Sequence, residues 1–490
     1  MVNIPEVKLG IISVSRSAFP RSLAERRRDA IAAVSKKAGL DMYICPTVVE
    51  SELDVQIALK DIAENGVNAL IVFLGNFGPE TPETMLAKYF DGPVMYCAAA
   101  EEDIAVLKED RGDAYCGMLN CSYNMALRKV KAYIPSYPVG DAEDVVSMIK
   151  GFIPVARALI GVKNLKIITF GPRPEEFFAC NAPIQPLYDL GVEVSENSEL
   201  DLYSSFLKHK DDPRIPEVIA DMCAELNIAA PKAKMDVMAQ YELTLMDFAE
   251  KLKGNRKYVA FANKCWPAFH DFFDFVPCYV NSRMTAKGIP VSCEVDIYGA
   301  LSEFIGACIT NDAVTLLDVN NSVPKEQYMA DINGKFDYTH QDVFMGFHCG
   351  NTSSCKLVNP KMSYHMICAR NTEHKEDWMG TMEGDLVPGK MTFFRLHGTA
   401  DCRTQAYIAR GEVLPVPTQS FGSIGIIAIP EMGRFYRNVL IEKNYPHHGA
   451  VAFEDISKVL WEVFKLLGVK DVEFNHPKGM LYENENPFEF

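Results

Sequence analysis

Within its first hundred residues the chain alternates short, continuous apolar runs with amphipathic stretches, and this alternation restricts the fold more than any other feature. Residues 8–14, 41–46, 67–74 and 94–99 read as strands, while 20–38 and 52–64 read as helices, the first opening on Pro20. Strands that are apolar along their whole length, with helices between them, pair in parallel in a sheet covered on both faces. Residues 1–160 are therefore expected to form an open α/β domain. Its GNFG segment, Gly75 to Gly78, lies between a strand and a helix, where such sheets bind ligands, but it lacks a GxGxxG fingerprint.

The same texture recurs further on. A helix over 141–158, strands at 165–170, 192–194 and 258–261, and helices at 215–226 and 233–252 predict a second α/β domain spanning 161–328. From 329 the runs shorten and Gly, Asn and Pro separate them, as at 391–396 and 424–429, which suits a β-rich, barrel-like domain over 329–490. A last helix, 453–467, carries one apolar stripe. The fold class is thus two open parallel-sheet α/β domains followed by a β-rich one. A length of 490 residues agrees, since one compact domain usually takes about 100–200.

Composition removes several functions. A net charge of −16 offers no basic footprint for nucleic acid. No stretch approaches the about 18 uninterrupted apolar residues that span a bilayer, and the first residues lack the apolar core of a secretory signal. Fourteen cysteines are scattered singly with no CxxC pair, the usage of a reducing compartment, so a cytoplasmic location is expected.

Chemistry is carried by segments in which polar residues interrupt apolar structure. In IPVSCEVDIYG, Glu294 and Asp296 stand between a strand-like run and a helix from Ile297; alternation would put both on one side of the strand. Capping that helix accounts for Asp296 but not for Glu294. In AVTLLDVNN, Asp318 ends a buried apolar strand, either facing a crevice or serving as a turn residue. In NYPHHGAVAFEDI, His447 and His448 form an adjacent pair expected to lead into a helix. With ten histidines in the chain, that pairing points to metal or proton-transfer chemistry as readily as to structure. GFHCGNTSSC offers His348, Cys349 and Cys355 at a spacing poor for structural zinc. Its Asn351 and Ser353 are short polar groups suited to sugar hydroxyls.

Two carboxylates with an imidazole make a hard, oxygen-rich site that suits Mn²⁺ or Mg²⁺. Such a site can polarise a sugar carbonyl and move protons between neighbouring carbons, as aldose–ketose isomerisation requires. The spacing of Glu294 and Asp318, the polar loop after the second acid, and the late histidine before Gly-Ala-Val resemble the L-fucose isomerase family. The order of domains resembles it too. The resemblance implies that Glu294, Asp318 and His448 bind Mn²⁺ and that the two acids transfer protons in an enediol mechanism. It also implies a homo-oligomer, a hexamer, in which Arg16 reaches a neighbouring subunit's site. In the related L-arabinose isomerases a histidine placed like His348 also binds the metal, so His348 is a possible fourth ligand; otherwise it contacts sugar. Trp266 and His447 are expected near the sugar.

Three readings follow. The first is an isomerase of an L-fucose or D-arabinose type sugar, and a rival within the same chemistry is a hexose with a sulfonate at C6, such as sulfoquinovose. That rival calls for a cation from Arg16, Arg173 or Arg395. The others are a non-catalytic sugar-binding or sensor protein and a zinc hydrolase centred on the histidines.

Overall fold

The computed structural model describes residues 1–105 and 107–488. They form two compact units, one of residues 5–160, the other running from Gly161 onward together with Met1–Ile4. In the first, β1 (Leu9–Val14), β2 (Met42–Ile44), β3 (Ala69–Leu74), β4 (Val94–Ala99) and β5 (Val139–Gly140) make a parallel sheet in the order β2-β1-β3-β4-β5. Every residue of β1, β3 and β4 is buried, which is why these runs are continuous rather than alternating. The first helix spans Arg21–Lys37, with Pro20 preceding it as the cap residue. β3 begins at Ala69 rather than 67 because Gly66, at φ 69°, ends the preceding helix and Val67 still bonds back to Ile62.

Strand order reverses between β1 and β3, and the loops that follow them are clasped by Asn76. Its side chain accepts the Arg16 backbone N–H at 2.9 Å and donates to Ser15 Oγ at 2.9 Å. The GNFG turn is therefore built for connection. Helix Ala142–Lys163 is long and apolar enough to cross a bilayer by length and composition, yet Val145, Ile149, Phe152 and Ala156 are completely buried, as in a core helix.

The second unit holds two sheets. β6 (Leu165–Phe170), β7 (Glu193–Asn197), β8 (Tyr258–Ala262) and β9 (Val291–Ser292) are parallel in the order β7-β6-β8-β9. The other is built from β10 (Thr315–Ser322), β11 (Val343–His348), β12 (Leu357–Tyr364), β13 (Met379–Leu386), β14 (Gly389–Gly398), β15 (Thr404–Val413), β16 (Ser423–Ala428), β17 (His448–Ala452) and β18 (Asp471–Phe474). Six of them close into a ring, β16-β11-β10-β17-β14-β15, because β15 pairs back to β16. The β-rich part is thus a barrel, extended by β12, β13 and β18.

Two local expectations are corrected. The strand bearing Asp318 continues to Ser322 and belongs to the antiparallel barrel, not to an α/β crevice. His448 opens a strand rather than leading into a helix, and the final helix starts at Ser457. Both segments have the same apolar composition in either setting, and only pairing distinguishes them. Helix Ile297–Thr310, buried from Ile297 to Ile309, packs on β14 and β17 and joins the barrel to the parallel sheet.

Candidate metal centre

Barrel pairing supplies most of the site. Asp318 on β10 stands directly opposite His448 on β17, and directly opposed residues present their side chains to the same face. The next strand, β11, ends at His348. Glu294 arrives from outside the barrel, on the short turn Cys293–Val295 between β9 and helix Ile297–Thr310. It does not share a strand face with Asp296, because Glu294 and Val295 both adopt left-handed backbone angles, φ 51° and 57°. A β-branched residue in that region is strained, and such strain persists only where surrounding contacts fix it. Here the Val295 N–H donates to the Asn263 carbonyl at 2.9 Å and the Asp296 N–H to Cys293 at 3.0 Å.

The result is convergence of three donor atoms. Glu294 Oε2 lies 3.5 Å and Asp318 Oδ1 3.4 Å from His448 Nε2. Cis ligands on an octahedral ion with bonds of about 2.1 Å stand roughly 3 Å apart, so each acid is spaced to share a small cation with His448, and Asp318, His348 and His448 offer three donor atoms within 4.8 Å of one another. Glu294 Oε2 and Asp318 Oδ1 are also buried without a hydrogen-bond partner. Burial pushes the Glu294 carboxyl up to about 8, against the pull of His448, and burial likewise raises Asp318 to about 6. Carboxyls in this condition need a proton or a cation.

Asp296 explains why His448 is suited to hold one. Its Oδ2 accepts from His448 Nδ1 at 2.9 Å, which orients the ring so that Nε2 points to where the two acids meet. Asp296 also caps the helix through Gly299 and takes two 2.8 Å bonds from Arg395, whose side chain is wholly buried. Burial alone would raise Asp296; the Arg395 charge and the bonds from His448 and Arg395 hold it well below the usual carboxylate range. The capping role read from sequence is real, but it is one of three. Arg395 is also removed as a sugar contact, because its guanidinium is spent on Asp296.

His348 differs from His448. Its Nδ1 accepts the Cys349 backbone N–H at 2.9 Å, so the neutral ring carries its hydrogen on Nε2, 3.9 Å from Glu294 Oε2. In that form it is a donor to an oxygen, while its position in one donor group with Asp318 and His448 is that of a fourth ligand. His447 Nε2 lies 3.8 Å from Asp318, and at 36% its side chain is the most exposed of the group. Phe177 stands edge-on to His447 at 5.5 Å and to Trp266 at 6.4 Å, so Trp266 joins an aromatic wall beside the histidine pair. Asn351 is buried with its carboxamide oxygen unpartnered. Ser353 is a correction: its hydroxyl is buried and donates to the Ser282 carbonyl at 2.8 Å, which makes it a strut. Arg16 lies in the first unit, its guanidinium 4.7 Å over the Phe77 ring and 3.7 Å from Glu80. Sequence reading missed Phe177 and Cys180, whose Sγ is 3.4 Å from His448 Nδ1; both sit in a loop with no chemical signature. The lone charge of Arg395 inside the apolar run 391–396 was a usable signal for a buried pair.

Comparison with known proteins fits this geometry. Residues 10–163 match the family model "Fucose/sulfoquinovose isomerase, N-terminal domain", and residues 346–474 match "L-fucose isomerase, C-terminal domain", together more than half of the chain. The chain belongs to the fucose isomerase family. Similar members of this family include a sulfoquinovose isomerase of Alkalicoccus urumqiensis, 26% identical over 64% of this chain and 65% of that protein. Another, the sulfoquinovose isomerase of Priestia aryabhattai, is 23% identical over 89% of this chain and 92% of its own length. A third, from Clostridium sp. (strain MSTE9), is 23% identical over 60% of this chain and 61% of that protein. The chain thus spans just under two thirds of the first relative and nearly all of the second. The fucose isomerase family comprises aldose–ketose isomerases.

Proposed function

We propose that the protein interconverts an open-chain aldose and its ketose at a divalent cation held by Glu294, Asp318 and His448, and that the sugar is a hexose sulfonated at C6. The observation that carries the reaction is the meeting of two buried, unpartnered carboxylate oxygens at His448 Nε2. Two carboxylates and one imidazole suit Mn²⁺ or Mg²⁺, which when bound would polarise the sugar's carbonyl oxygen. The chain's own residues do the rest. One carboxylate removes the proton from C2 as the carbonyl oxygen gains one, giving the enediol; the O2 hydroxyl then loses its proton, C2 becomes the carbonyl carbon, and C1 is protonated. His348 Nε2–H donates to a sugar oxygen, Asp296 fixes the His448 ring, and Phe177 and Trp266 shield one side from water.

Support for the sulfonated sugar comes from the relatives, which carry that substrate in their names. It leads here over the L-fucose or D-arabinose type. With Arg395 spent, Arg173 is a cation bordering the site: its Nε donates to the carbonyl of Cys180, whose thiol touches His448. Protein stripped with chelator is expected to lose turnover and to recover it with Mn²⁺, and ketose formation should be fastest with sulfoquinovose in a panel that includes L-fucose and D-arabinose. Activity undiminished by chelation would sink the metal assignment, and equal rates on neutral sugars would sink the sulfonate.

The protein is also proposed to act as a homo-oligomer in the cytoplasm. Helix Ala114–Leu127 carries Tyr115, Leu119, Tyr123 and Leu127 at four-residue spacing, each more than 60% exposed, and so presents an apolar stripe fit for a second copy of the chain. All fourteen cysteines are free thiols, in keeping with a reducing compartment. The double substitution Leu119→Lys, Tyr123→Lys is expected to lower the assembly's mass in sedimentation velocity while leaving the secondary structure of the chain intact.

A further inference from the structure

Away from the carboxylates, the second unit buries a different set of donors. Cys265 lies three residues past β8, Cys278 opens helix Cys278–Ala286, and His365 follows directly on β12. All three are buried, and their sulfurs and a ring nitrogen lie within 4.8 Å of one another. The thiols of Cys349, just past β11, and Cys368 also border the His365 ring. Four segments remote in sequence thus deliver thiols and one imidazole to a single point.

We propose that this cluster is a second metal site, closed and sulfur-rich, which binds zinc through Cys265, Cys278 and His365 with Cys349 or Cys368 in the fourth position. Soft thiolates with one imidazole select Zn²⁺ over the Mn²⁺ or Mg²⁺ favoured by the carboxylates, and four protein ligands with no open position mark a structural site. Ligands on a tetrahedral zinc stand roughly 3.8 Å apart, so donors within 4.8 Å of one another need to draw in by at most about 1 Å. Binding deprotonates the thiols and releases their protons to solvent. The His365 Nδ1 accepts the Cys368 N–H at 3.2 Å, at the long end of the ordinary range.

The site would brace the catalytic floor. Cys265 is two residues from Asn263, whose carbonyl holds the strained Glu294 turn, and Cys349 adjoins His348. A zinc ion would tie both segments to helix Cys278–Ala286 and to the end of β12.

The full-length protein, produced with zinc and manganese both supplied and then dialysed against EDTA, is expected to retain one zinc per chain by elemental analysis. Production with Co²⁺ instead should give sulfur-to-cobalt charge-transfer absorption, which a site of carboxylates and imidazole cannot produce. His448→Ala should keep the retained zinc and the charge-transfer band, whereas Cys278→Ser should lose both. The wild-type cobalt spectrum decides the matter even if Cys278→Ser fails to fold. Absence of zinc and of charge transfer overturns the proposal. So does a titration of the denatured protein that finds a Cys265–Cys278 disulfide, which would make the pair a redox couple.

Discussion

Glu294→Gln is expected to cut turnover by about 10²–10⁴, the usual worth of a positioned acid–base group, and to abolish stabilisation of the protein by Mn²⁺. The fold should survive, because the amide keeps the carboxyl's volume at a position where Oε2 has no protein partner to lose. The metal-stripped protein offers a sharper readout. The native Glu294 carboxyl titrates at about 8 against an ordinary 4.5, so between those values the folded chain holds a proton that the unfolded chain has released. Native stability contributed at this site therefore falls as pH rises through that window and levels off above 8. In Glu294→Gln the fall of urea-unfolding midpoints across that window should be shallower than in the wild type. If the variant turns over sugar at the wild-type rate, Glu294 has no place in the chemistry.

Asp296→Asn is expected to cost more stability than any other single change at the site. Arg395 is completely buried, and both of its 2.8 Å bonds end on this carboxylate. Stranding a buried charge in this way costs about 3–5 kcal/mol. The same substitution releases the His448 ring, which should weaken Mn²⁺ binding by about 10- to 100-fold. The two effects are separable. Adding Arg395→Met to Asp296→Asn removes the stranded charge and should restore much of the stability, but not the metal affinity. Urea unfolding and Mn²⁺ titration of the single and double variants measure each part. Unchanged Mn²⁺ affinity in both would show that Asp296 supports the fold alone.

Much of the architecture was legible along the chain because its signal is local. Strands β1, β3, β4 and β6 are apolar at nearly every position, and that pattern has one stable outcome, a covered parallel sheet. β10 and β17 carry runs of the same kind yet belong to the barrel, since membership of a sheet is decided by a partner many residues away. The candidate site divides in the same manner. Glu294 stood out as an acid that helix capping does not explain, Asp318 read equally as a turn residue, and only the family resemblance chose His448 among the histidines, whereas Ser353 looked available until its hydroxyl was found bonded to Ser282.

The sequence by itself determined the chemistry available: two acids and an imidazole in segments otherwise apolar, thiols left free, and a charge balance hostile to nucleic acid. Tertiary structure decided what each histidine faces. His448 and His348 are equivalent as letters, but a carboxylate faces Nδ1 of the first and a backbone N–H faces Nδ1 of the second. The first ring thereby has its Nδ1 fixed by Asp296 while its Nε2 faces Glu294 and Asp318. A ring's tautomer is set by its neighbours in space, which no reading along the chain can supply.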